Sequence, residues 1–215
     1  MMWALMFASA LCAQSVPSDE LVRAAETGNV KRVRELLDAG GDPNLPKSFS
    51  AFEAACAASL PDVVKAMLDH HADVKQRDAA GRTPLNVLAQ TEVEDVRFGP
   101  GGRHGVVPLG DSAEVARLLI RAGADVNAQE DTFLNTPLHD APDATTAQVL
   151  IAAGADINRR NKEGRTPLML TLDPEVTGVL LRAGADRTVR DYRGRTALDL
   201  AREFELTEKI ALLKR

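Results

Sequence analysis

The phrase GRTPLMLT, residues 164–171, decides the fold because it has echoes along the chain. GRTPLNVLA opens at Gly81, LNTPLHDA at Leu134 and GRTALDLA at Gly194. A second phrase alternates with it: AGGDPN from Ala39, HHADVK from His70, AGADVN from Ala122, AGADIN from Ala153 and AGADRT from Ala183. Its aspartates, Asp42, Asp73, Asp125, Asp156 and Asp186, are separated by 31, 52, 31 and 30 residues. A fixed period of this size marks an array in which one supersecondary unit recurs.

Each phrase has a physical reading. In GRTPL the glycine admits the positive φ of a tight turn. Thr83 is placed to cap a helix, and Pro84 then takes the first helical position, where its missing N–H costs nothing. A second helix follows, as in EVARLLIRAGAD. There Val115, Leu118 and Leu119 share a face, and Gly123 ends the helix in a left-handed conformation. One such pair cannot bury its own apolar face, so the copies must stack. These phrases resemble the ankyrin repeat, on Thr-Pro-Leu-His with Ala over residues 136–141 and Gly-Ala-Asp-Val-Asn over 123–127. The resemblance implies an all-α repeat solenoid over residues 19–215. Its six copies would fall at about 19–46, 47–76, 77–129, 130–160, 161–189 and 190–215, as helix-turn-helix units joined by short β-hairpin loops.

The copies differ in informative ways. The first and last carry charge on their outward positions, as end caps should. In the second, Ser50, Ala51 and Phe52 replace Thr-Pro-Leu. The fourth and fifth are three residues short between Thr136 and Asp156, and between Thr166 and Asp186, which predicts clipped first helices with Pro142 and Pro174 opening the second ones. In the third, Thr83 to Asp125 spans 42 residues where Ser50 to Asp73 spans 23. The excess of 19 is an insert at about 91–109, between the two helices of that copy, and it holds most of the glycine-rich run FGPGGRHGVVPLG. The insert is expected to project from the edge of the array.

Composition fits this fold. Hydrophobic residues make up 45% and aromatics only 4%, so the core is built from small aliphatic side chains on closely packed helices. The net charge of −5 argues against a nucleic-acid partner. Residues 1–13, MMWALMFASALCA, are read as a signal peptide and 14–18 as a linker, which places the protein in the periplasm or outside the cell (in the cytoplasm if the segment is not a signal). The apolar run is too short to span a bilayer, so no stable membrane insertion is expected after cleavage. Cys56, among alanines, is expected to be buried and inert.

The glycine-rich run has no Lys-Ser/Thr after it and acidic residues before it, so it does not read as a phosphate loop. His70 and His71 are adjacent and diverge, which disfavours a shared metal. His139 stands where the resemblance implies a structural histidine. No nucleophile–base pairing is legible, and neither enzyme activity, cofactor nor metal is expected. The function read from the chain is a non-catalytic protein–protein interaction module. It would act as a monomer and grip a partner through hairpin tips and the concave surface. The candidate contacts at the tips are Arg77, Arg82, Phe133, Arg160, Lys162, Arg165, Arg190, Tyr192, Arg193 and Arg195. Nine Lys/Arg against five Asp/Glu between Ile157 and Arg195 suit a partner with an acidic patch. The alternative is a ligand-binding or regulatory protein that uses the 91–109 insert as a lid.

Overall fold

The computed structural model describes residues 18–45, 50–88, 97–98, 103–104 and 110–214. The signal peptide and linker read over 1–18 therefore lie outside the described residues, apart from Ser18, and so does most of the 91–109 insert. Helices dominate. They are α1 (Ser18–Glu26), α2 (Val30–Asp38), α3 (Ala51–Ala57), α4 (Pro61–Asp69), α5 (Ser112–Arg121), α6 (Ala144–Ala152), α7 (Pro167–Leu170), α8 (Pro174–Arg182), α9 (Ala197–Glu203) and α10 (Thr207–Leu213). A 3-10 turn, Pro137–Asp140, precedes α6, and β1 (Arg97–Phe98) pairs antiparallel with β2 (Arg103–His104) inside the insert.

The helices form two layers. One row runs α2, α4, α5, α6, α8 and α10, each packed on the next. In the other, α1 packs on α3, and the 3-10 turn on α7 and then α9. Between the rows lies one apolar cluster that includes Leu21, Val33, Phe52, Met67, Leu119, Leu150, Leu180 and Leu200. The architecture is thus an α-helical array compatible with a repeat solenoid.

Caps set the helix bounds. Ser50 Oγ accepts from the Glu53 amide while Glu53 accepts from the Ser50 amide, a reciprocal box that starts α3. Asp143 caps α6 by accepting from the Thr146 amide, and Asp173 caps α8 by accepting from the Glu175 and Val176 amides. After α5, Gly123 turns the chain at φ +93°, a conformation nearly free of cost only for glycine. In the second copy His71 takes that role at φ +66°.

Three expectations need correction. Thr83 caps no helix: residues 84–88 form turns, held by Asn86 Oδ1, which accepts from the Thr83 amide and hydroxyl. Pro142 does not open α6, which starts at Ala144 because Asp143 is the better cap, whereas Pro174 does stand at the start of α8. The connections between pairs carry no assigned strand among the described residues. Paired backbone bonds close them: the Asp78 amide donates to the Arg82 carbonyl and Gly81 to Asp78, Asn161 to Arg165 and Gly164 to Asn161, and Asp191 to Arg195 and Gly194 to Asp191. The clipped first helices are real: a 3-10 turn in one copy and a four-residue α7 in the next.

Candidate functional site

Two surfaces compete for a functional role, the turn tips and the outer row of helices. The tips are built around a buried acceptor. Asp78, Asn161 and Asp191 each receive two backbone N–H groups of their own turn at 2.9–3.0 Å. Burial opposes charge on Asp191, but bonds from Arg195 and Arg193 outweigh it and hold its carboxyl below the usual range. The fourth tip is one residue longer, so Glu130 replaces the shorter acceptor and takes the amides of Thr132, Phe133 and Asn135. Leu134 then occupies, at φ +58°, the place that Gly81, Gly164 and Gly194 hold elsewhere.

Successive tips are also joined. The amide of Asp131 donates to the Ala80 carbonyl, that of Lys162 to Phe133, and that of Tyr192 to Glu163. The tip side chains largely follow suit. Arg77 donates to the Gly81 and Gln129 carbonyls, Arg82 to Asp78, and Lys162 to the Thr132 carbonyl. Arg160 donates to the Arg190 carbonyl while its guanidinium lies 5.2 Å from the Tyr192 ring centre. Arg165 pairs with Glu163, Arg190 donates to the Gly194 carbonyl, and Arg195 pairs with Asp191 and Glu203. The structure therefore brings the predicted residues together, but mostly as struts between turns. Phe133 and Tyr192 are 54% and 72% exposed, and Arg193 is exposed as well.

The outer row holds what sequence reasoning missed. A groove of about 320 Å³ lies between α6 and α8, lined by Gln148, Ile151, Ala152, Val179, Arg182 and Ala183. The available signal was the register of the outer helices counted back from each aspartate, a comparison that the tip-centred reading passed over.

Buried titratable groups are occupied structurally. The His139 Nδ1 accepts from the Thr136 amide and hydroxyl, and its Nε2–H donates to the Arg165 carbonyl at 3.1 Å. Burial, and then the nearby Glu53 carboxyl, push the Cys56 thiol well above its usual range, which suppresses its thiolate. His70 faces Asp38 at 3.5 Å. Lys209 is buried, donates to the carbonyls of Met169 at 3.4 Å and Thr171 at 2.5 Å, and is pushed down to about 8 by burial. No helix among the described residues is long and apolar enough to cross a membrane.

No family model matches the chain. A stretch of 76 residues, 34% of the chain, is 36% identical to the potassium channel AKT1 of Arabidopsis thaliana, of which the chain covers only 9%. At the level of structure, the chain is similar to one in the complex of the predatory endopeptidase Bd0816 of Bdellovibrio bacteriovorus with the immunity protein Bd3460. The TM-score is 0.72 with 25% identity, over 92% of this chain and 97% of that one. This likeness overturns the expectation of a general interaction module gripping through hairpin tips and the concave surface, and with it the lid alternative.

Proposed function

We propose that this chain is an immunity-type protein that binds an endopeptidase and restrains it, contributing no chemistry of its own. The carrying observation is the structural likeness to a chain of an endopeptidase–immunity complex over nearly the full length of both. The structural use of His139, Cys56 and Lys209 supports the non-catalytic side of the reading. Within it, residues 19–215 are one array of six ankyrin-type repeats that acts as a monomer, the 1–13 segment is an export signal, and the partner offers an acidic patch.

The test starts with the tagged chain immobilised and used to capture peptidases from the cell fraction that contains it. The captured peptidase is then purified and assayed with increasing amounts of the chain. Hydrolysis should fall to background near one equivalent. Unchanged hydrolysis, or capture without any peptidase, would overturn the proposal.

A further inference from the structure

The outer row carries a charged stripe, and the groove lies where the stripe breaks. Counted back eight residues from the aspartates of the repeated phrase, the positions are Arg34, Lys65, Arg117, Gln148 and Gly178. Counted back four, they are Asp38, Asp69, Arg121, Ala152 and Arg182. Thus α6 (ATTAQVLIA) is uncharged at both positions, and indeed throughout, while α2, α4, α5, α8 and α10 all carry charge. The exposed side of α6 is made of uncharged polar and small residues. Here Thr145, Gln148 and Ala152 are exposed and Ile151 is half-buried.

Across the groove, Gly178 sits mid-helix in α8, a position where glycine weakens a helix by about 1 kcal/mol relative to alanine. It leaves room for the Arg182 guanidinium, whose Nη1 lies 3.2 Å from where a Gly178 side chain would begin. Arg121 and Arg182 end the two helices that flank α6, both are exposed, and neither has a carboxylate partner among the described residues. The result is a mostly apolar trough with Gln148 on its wall and the exposed Arg182 guanidinium at its margin.

We propose that the α6–α8 groove receives an apolar segment of the endopeptidase that carries a carboxylate positioned to meet Arg182. This rests on the immunity-type reading above and gives that reading a surface. The charge at the margin selects the partner's acidic residue, and the uncharged floor accepts its apolar side chains without stranding a buried ion.

The test uses the full chain and the peptidase purified in the preceding experiment. Gln148→Arg with Ala152→Arg restores the residue types that Arg117 and Arg121 hold in the same register, so folding is preserved; unchanged melting by circular dichroism verifies it. This variant should bind the peptidase at least tenfold more weakly. Arg182→Glu should weaken binding severalfold and flatten its salt dependence, while the tip variant Arg193→Glu should bind within twofold of the parent. If both groove variants bind like the parent, the groove is overturned and the immunity-type function stands. If the parent neither binds nor inhibits a peptidase, both proposals fall. If the parent sediments as a dimer and the double variant as a monomer, the occupant is a second copy of this chain and the inference is overturned.

Discussion

Two buried ionisable residues, Glu53 and Lys209, pull stability in opposite directions with pH. Burial raises the Glu53 carboxyl, and its Oε1 finds no hydrogen-bond partner among the described residues. The folded state holds this proton after the unfolded chain has released it. Stability is therefore complete below the ordinary carboxyl range and falls as pH rises through the raised value. Glu53→Gln keeps an acceptor for the Ser50 amide and removes the buried charge. It should add about 1 kcal/mol at neutral pH and erase that part of the pH slope, measured by urea denaturation between pH 4 and 8. For Lys209 the sign reverses. Its amine sits at about 8 in the fold and near 10.4 in the unfolded chain. The unfolded state thus binds more protons between those values, and stability should rise with pH across that window. Lys209→Met should remove the rise, which melts at pH 7, 9 and 10.5 would detect. Neither residue was legible in the sequence: each reads as a solvated helix charge until the fold buries it. Lys209 is buried because α7 stops after four residues, leaving the carbonyls of Met169 and Thr171 for its amine.

Among the elements, a row of asparagines ties each copy to the next. Asn44 Oδ1 accepts from the Asp73 amide, Asn127 from Asp156 and Asn158 from Asp186, at 2.8–2.9 Å. The equivalent in the second copy is Lys75, which is exposed and cannot accept. Lys75→Asn should supply the missing bridge to the Asp125 amide. One net hydrogen bond is worth about 1 kcal/mol, or roughly 2–4 °C of melting temperature at this chain length; an unchanged melting temperature would mean the two turns stand too far apart. The same junction bears the insert. Its return is anchored where Gly110 lies against the backbone of Ser59, so closely that a side-chain carbon would come within 1.9 Å of the Ser59 carbonyl oxygen. Ser59 and Ser112 share a hydroxyl bond at 2.8 Å. Deleting residues 91–109 while keeping Gly110 should leave the helical circular dichroism spectrum intact, whereas Gly110→Ala should cost about 1–3 kcal/mol in chemical denaturation. The period of thirty placed the clipped helices correctly from sequence. It failed at Pro84, where residues 84–88 form turns and Asn86 Oδ1 accepts from the Thr83 amide and hydroxyl.

Across the whole molecule, stability should divide at that junction. In a stacked array each unit touches only its neighbours, so cooperative opening stops where a neighbour contact is weak. Within the first block, α1 packs on α3 and α2 on α4; beyond residue 110 the contacts run unbroken from α5 to α10. Between the blocks, α4 packs on α5 and the serine pair holds, but the asparagine bridge is missing and residues 84–88 offer no helix to α3. The candidate groove lies wholly in the second block, where Asn127, Asn158 and the tip-to-tip bonds all reinforce the stack. A binding surface on the better-tied block suffers less ordering entropy when it docks. Hydrogen exchange under native conditions should therefore resolve two units. Amides of α1 to α4 should open together at lower free energy than those of α5, α6 and α8, and peptidase binding should slow exchange in α6 and α8 without slowing it in α1 and α2. Lys75→Asn should merge the two units toward a single opening. Uniform protection from α1 to α10 in the parent would show that α4–α5 packing alone couples the blocks and that the missing bridge carries no weight.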